Sequence, residues 1–293
     1  MTNISTHTLQ VPGATIAYDV RDAAQPSDRP ALLMIGQPMD ARGFVSLAGH
    51  FTDRTVITYD PRGLGRSTRD DGRSDNDPEV QAEDLHALIA EAGFGPVEVF
   101  GSSGGAITGL ALVTAHADDV LTLVAHEPPL LTPLPDVARA LEAQEAFQAT
   151  YHAKGNGAGM AHFISMTMWQ GEFTDEYAAQ PAPDPAMFGM PADDDGSRND
   201  PLLSGVSNAV TQYQLDVPAL TSASTRIVLG VGILTGDTIT GRTSAAVAQA
   251  LDAPLVVFPS HHGGFLGGEF GQSGEPEAFA VTLHEVLDTQ PVG

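Results

Sequence analysis

Val97-Glu98-Val99-Phe100-Gly101-Ser102-Ser103-Gly104-Gly105-Ala106 is the stretch that decides the fold. A short β-branched run leads into glycine and serine, and small residues follow. That order predicts a strand, a tight turn and a helix in immediate succession. A G-x-S-x-G pattern in this setting holds one serine on a strained turn, its hydroxyl at the top of a sheet. Gly101 and Gly105 lie two residues either side of Ser103, where strand and helix nearly touch and a Cβ would clash. Centring the pattern on Ser102 would put Phe100 at that crowded position, so Ser103 is the candidate nucleophile. Alone, the stretch also fits a glycine-rich turn with an idle serine, and partners elsewhere must decide.

Outward from this turn, short apolar runs alternate with helical patterns, predicting βαβ units and a mostly parallel sheet. His7 to Val11 and Ala14 to Val20 form a leading hairpin around Pro12-Gly13. Strands follow at Ala31 to Ile35, Arg54 to Tyr59, Val97 to Phe100, Val120 to His126, Arg226 to Val231 and Leu255 to Phe258. Helices are expected from Asp77-Pro78 to Gly93, Ala106 to His116, Thr243 to Leu251 and Glu275 to Leu287. Asp77 supplies a carboxylate cap, Pro78 a first-turn proline and Gly93 a terminator. Residues 1–130 and 222–293 therefore make the sheet-centred core. The alternation breaks over 131–221, read as an inserted helical lid with helices at Pro135 to Lys154 and Gly157 to Gln170. Pro181 to Pro201, rich in Pro, Asp, Gly and Asn, is too long for a plain connection.

A serine hydroxyl is a weak nucleophile until a base takes its proton, and the base needs an acid to hold its tautomer. The base is sought after the last strand, in Pro259-Ser260-His261-His262-Gly263-Gly264-Phe265. Its glycine neighbours favour His262, leaving His261 to pack or hydrogen-bond nearby. The usual acid position, after strand Arg226 to Val231, reads Gly232-Ile233-Leu234-Thr235-Gly236 and holds no carboxylate before Asp237. The other position from which an acid reaches the same histidine follows strand Val120 to His126. There Glu127 precedes Pro128-Pro129. Glu127 is the favoured acid and Asp237 the alternative; buried carboxylates need a cationic or hydrogen-bonding partner. Two backbone donors should hold an oxyanion: the Gly104 amide and the Gln37 amide in Gly36-Gln37-Pro38, where Gly36 lets the chain turn.

The chain has 293 residues, 42% of them hydrophobic, and a formal net charge of −24. Such a surface repels nucleic acid and anionic membranes and disfavours a phosphorylated substrate. With no cysteine, disulfides, thiolate metal sites and a cysteine nucleophile are excluded. Met1-Thr2-Asn3-Ile4 lacks a signal-peptide start, and no apolar run is long enough to span a bilayer, so a cytoplasmic protein is expected. The spacing of His7, His50, His86, His116, His152, His162 and His284 shows no metal-ligand pattern, and Asp193-Asp194-Asp195 reads as a solvated acidic loop. No metal and no cofactor is expected.

Together these residues resemble the α/β-hydrolase superfamily nearly end to end, the lid excepted. Asp60-Pro61-Arg62-Gly63-Leu64-Gly65-Arg66-Ser67 is similar to its structural D-x-R-G-x-G-x-S turn, and Gly36-Gln37-Pro38 to its H-G-x-P segment with Ile35 in place of histidine. Glu127 after the strand that follows the elbow resembles the triad layout of zearalenone lactonases. The resemblance implies an α/β-hydrolase fold and a serine hydrolase with the triad Ser103, His262 and Glu127. Its expected partner is a small ester or lactone of moderate size and apolar character, and a homodimer is the one protein association envisaged. Met168, Trp169 and Phe163 on the second lid helix are candidates to line the substrate pocket. The rival readings are a cofactor-free perhydrolase or carbon–carbon bond hydrolase using the same triad, and a ligand-binding receptor on this fold.

Overall fold

The computed structural model describes residues 3–194 and 196–289. Nine strands form one sheet: β1 (Ile4–Val11), β2 (Ala14–Arg21), β3 (Leu32–Gln37), β4 (Val56–Tyr59), β5 (Thr68–Arg69), β6 (Val97–Ser103), β7 (Val120–His126), β8 (Arg226–Gly232) and β9 (Leu255–Phe258). Their order is β1-β2-β4-β3-β6-β7-β8-β9, with β5 beside β2. The β1–β2 hairpin is antiparallel and joins β4 antiparallel, while every pair from β4 to β9 is parallel. The helices are α1 (Val45–Gly49), α2 (Pro78–Ala92), α3 (Gly104–Ala115), α4 (Val137–Lys154), α5 (Asn156–Met168), α6 (Asp175–Ala178), α7 (Asn208–Thr211), α8 (Val217–Ser222), α9 (Ile239–Leu251) and α10 (Pro276–Asp288). This is an α/β-hydrolase fold with a mostly parallel central sheet flanked by helices.

The central strands are apolar without polar alternation because both faces are covered. In β3, Leu33 and Ile35 enter the core against α2, α3 and α9, while Leu32 and Met34 enter the core against α1 and α10. The sequence boundaries hold to within a few residues. Asp77 caps α2 by accepting from the Glu79 amide, and Gly93 ends it at φ 72°. Helix α9 starts at Ile239, four residues ahead of the expected Thr243, with Thr238 as its N-cap.

Between β7 and β8 the chain leaves the sheet and builds a third core, where Leu131, Leu134, Phe147, Tyr151, Met166 and Phe173 pack together. The Asp60–Ser67 turn is structural, as its pattern implies. Asp60 accepts from the Ala41 and Arg66 amides, Ser67 Oγ donates to the Asp60 carbonyl, and Arg62 binds Asp84. No helix among the described residues is long and apolar enough to cross a membrane.

Candidate active site

Ser103 ends β6 and precedes the first residue of α3, at φ 56° and ψ −128°. That strained backbone is found where a reactive side chain must be held out of the sheet. A Cβ on Gly101 would stand 2.7 Å from the Gly105 carbonyl oxygen, so strand and helix do nearly touch there. Gly105 answers to a different neighbour. Its Cβ would stand 2.3 Å from the Ile35 carbonyl oxygen, and the glycine lets α3 pass over β3. Gly36 also differs from expectation: it lies within β3, and its missing side chain makes room for Met39, whose Cε would be 2.7 Å from a Cβ.

Glu127, also in the left-handed region at φ 48°, is fully buried. One carboxylate oxygen, Oε1, accepts from the Gly232 amide at 2.8 Å and from Thr235 Oγ1. The other, Oε2, accepts from Thr240 Oγ1 at 2.8 Å and from His262 Nδ1 at 2.6 Å. Burial alone would raise the carboxyl's pKa. The bonds from His262 and Thr235 outweigh it and hold Glu127 well below the usual carboxylate range. With Nδ1 donating to a carboxylate, His262 keeps Nε2 free to accept a proton. His261 is committed differently: Nδ1 accepts from the Gly263 amide and Nε2 faces the Ser273 carbonyl.

His126, beside Glu127 on β7, is completely buried, and burial lowers its pKa to about 4, so it is neutral near pH 7. Its Nδ1 meets Ser102 Oγ at 3.4 Å and its Nε2 stands 4.0 Å from Glu127 Oε1.

Ser103 and His262 line the same cavity of about 590 Å3, bounded also by Gln37, Gly104 and residues of α4, α5 and α7. Both also line a second cavity, of about 480 Å3. No hydrogen bond joins the Ser103 hydroxyl to His262 among the described residues; empty catalytic sites often hold such bonds long until substrate tightens them. Gln37 ends β3, pairs in register with Ser103, and its side-chain amide is buried without a partner. Gly104 opens α3, where the first amides have no intrahelical acceptor.

The remaining expected residues divide. Phe163 and Met168 line the 590 Å3 cavity. Trp169 does not. As the residue closing α5 it packs half-buried against the insert's own core, donates to the Glu172 carbonyl and meets Tyr177 edge-on. Asp237 is exposed, its amide bonds Gln170, and its carboxylate makes no bond to His262. Sequence reading missed Thr235 and Thr240, which hold Glu127, and His126. It also missed that His86, His116 and Asp119 bring ligand atoms within 4.8 Å of one another. Those imidazoles stack at 3.9 Å with planes 7° apart, and each bonds a carboxylate, Asp119 or Glu83. In-plane lone pairs of parallel rings cannot converge on one ion, so the cluster as folded is a stacked pair of histidines, each hydrogen-bonded to a carboxylate. In the acidic run, Asp194 pairs with Arg198, while Asp195, like Met1 and Thr2, lies outside the described residues.

The alpha/beta hydrolase fold family matches residues 32–220, and this chain belongs to it. It is 29% identical to the uncharacterized hydrolase YraK of Bacillus subtilis (strain 168) over 98% of this chain and 97% of that one. Among solved structures, MGS-M2, an alpha/beta hydrolase enzyme from a Medee basin deep-sea metagenome library, has a TM-score of 0.68 at 14% identity, covering 98% of this chain and 99% of that one. The enol-lactonase from Burkholderia xenovorans LB400 has a TM-score of 0.62 at 17% identity, covering 97% and 100%. At these identities the structural likenesses carry the fold alone.

Proposed function

We propose that this hydrolase cleaves a carboxylic ester or lactone of moderate size through a Ser103–His262–Glu127 triad. The observation that carries the reading is the buried carboxylate of Glu127 fixed on His262 Nδ1, in a site whose cavity also exposes Ser103. Ser103 Oγ attacks the carbonyl carbon as His262 Nε2 takes its proton. The oxyanion is met by the Gly104 amide, with the Gln37 amide as the second donor. Collapse of the tetrahedral adduct breaks the bond to the alkoxide, which leaves with the proton from His262. Water, activated by the same imidazole, then attacks the acyl-Ser103 ester and releases the acid. Glu127 stays ionised throughout, holding the tautomer and stabilising the imidazolium.

The acid's position after β7 is what a zearalenone-lactonase-like layout implies, and a relative bearing the words enol-lactonase shares the fold. Residues 131–221 act as the lid, contributing Phe163 and Met168 to the cavity.

A fluorophosphonate probe tests the reading directly. It should form a covalent adduct at Ser103, found by peptide mass spectrometry, and abolish turnover of p-nitrophenyl butyrate. Ser103→Ala should neither label nor turn over while keeping its circular dichroism spectrum. Full activity in that variant would sink the mechanism.

A further inference from the structure

We infer that the cavity under the helical insert selects an electrically neutral substrate arm and contains a hydrogen-bonding subsite built on Gln144, Gln148 and Asn208. The inference rests on the ester hydrolysis proposed above and narrows its substrate class.

The first observation is the cavity wall. The chain carries 13 Lys and Arg and 37 Asp and Glu, yet none of these residue types lines the 590 Å3 cavity. Its two titratable walls are His261, whose ring nitrogens both meet backbone groups, and His262, whose Nδ1 is held by Glu127. An ionised group entering this space would leave its water without meeting a counter-charge, a loss of several kcal/mol. The second cavity, which also opens on Ser103, is different, since Asp40 and Arg42 line it. A charge on the substrate can be accommodated only in that other arm.

The second observation is a hydrogen-bonded cluster of amide and hydroxyl side chains in this uncharged wall. Gln144 and Gln148 stand on one face of α4, flanking Phe147. Gln144 Nε2 donates to Asn208 Oδ1 at 2.8 Å, Gln148 Nε2 donates to the same oxygen at 2.6 Å, and Thr211 Oγ1 donates to Gln144 Oε1 at 2.8 Å. All four residues line the cavity. Asn208 Nδ2 and Gln148 Oε1 make no side-chain bond among the described residues. Each lies 3.5 Å from the point where a Cβ on Gly205 would stand. A donor and an acceptor within reach of one point suit a neutral hydroxyl, which offers both.

Hydrolysis of matched esters tests this. One series carries a methyl, hydroxyl, carboxylate or ammonium end on an otherwise identical six-carbon acyl chain. A second series carries the same ends on the alcohol chain, so whichever arm enters the cavity is sampled. In one series, the carboxylate- and ammonium-ended esters should show kcat/KM at least about 100-fold below the methyl-ended one. The hydroxyl-ended ester should exceed it about 2- to 10-fold, the size of one neutral hydrogen bond. The discrimination should persist at 0.5 M salt, which screens the long-range field of the acidic surface. In that same series Gln148→Lys should shift the carboxylate-to-methyl ratio at least about 10-fold toward carboxylate. Asn208→Asp, isosteric and still an acceptor for both glutamines, should shift the ammonium-to-methyl ratio the same way.

Equal rates for charged and neutral ends in both series, or discrimination that vanishes in salt, would overturn the neutral arm while leaving an ester hydrolase. Discrimination that neither variant alters would overturn the subsite. No turnover of any ester would instead remove the proposed function itself.

Discussion

Glu127 Oε2 accepts from His262 Nδ1 at 2.6 Å, joining residues 135 positions apart in the chain. The bond depends on a loop that has no carboxylate before Asp237. After β8, where this fold commonly places its carboxylate, stand the Gly232 amide and the Thr235 hydroxyl, and both donate to Glu127 Oε1. This segment thus positions Glu127 at the end of β7. One carboxylate oxygen is left to Thr240 and His262.

Glu127→Gln should therefore lower kcat/KM for a p-nitrophenyl ester by about 10^3- to 10^4-fold, because an amide no longer fixes the Nδ1–H tautomer. Asp237→Asn, altering an exposed carboxylate without a bond to His262, should stay within about 3-fold. Steady-state kinetics on both variants decide between the two acids. A larger loss in Asp237→Asn than in Glu127→Gln would reverse the assignment.

The proposed nucleophile, base and acid stand out in the sequence because each sits in a local context that says what its backbone does. Ser103 lies between glycines, His262 before two glycines, and Glu127 between a buried strand and two prolines. Thr235, Thr240 and Asn208 carry no such mark. A hydroxyl or amide becomes a partner only through contacts across the fold, 108 residues for Thr235 and Glu127, and no periodicity announces that. Trp169 was misplaced for a related reason. The helical pattern carried α5 on to Gln170, but the helix stops at Met168 and the backbone at Trp169 is extended, ψ 137°. His86 and His116 lie 30 residues apart and meet only because α2 packs on α3.

Thr235→Val tests how Glu127 is held in the ionised state. Removing a donor to a charged acceptor costs about 1.5–3 kcal/mol, so the variant should melt several degrees below wild type at pH 7. Because the folded-state pKa of Glu127 is depressed, its contribution to stability is present above the unfolded value, near 4.3, and is lost as pH falls through the folded one. Because the two unfolded chains titrate alike, the gap between variant and wild type should stay constant as pH drops below about 4.3 and narrow only once pH falls through the variant's folded-state value. Thermal melts from pH 7 to pH 3 give the answer. A variant as stable as wild type at pH 7 would mean the hydroxyl does not hold the ionised carboxylate.

His126 should leave its own mark on stability. Its folded-state pKa is about 4, against about 6.5 unfolded, so between those values the unfolded chain binds the extra proton. Stability should fall on acidification from pH 6.5 to about 4, by about 3 kcal/mol for this group at the low end. His126→Gln, which does not titrate, should flatten that part of a urea-denaturation profile. An unchanged slope would mean that the buried imidazole already carries a proton in the fold.

Among the glycines around the Ser103 turn, the tightest geometric demand falls on Gly105. A Cβ there would stand 2.3 Å from the Ile35 carbonyl oxygen and 2.8 Å from Gly36 Cα, both backbone atoms that cannot swing aside. The cost is displacement of α3 from β3, which carries the Ser103 turn away from the Gln37 segment paired beside it. Gly105→Ala should therefore fail to accumulate as folded protein, or melt at least about 5–10 °C below wild type with activity lost. Gly49→Ala makes the matched control, since a Cβ at that position in α1 meets nothing within 4 Å. It should fold and turn over ester at the wild-type rate. Equal behaviour of the two variants would show that the close approach of α3 to β3 is not what holds the serine in place.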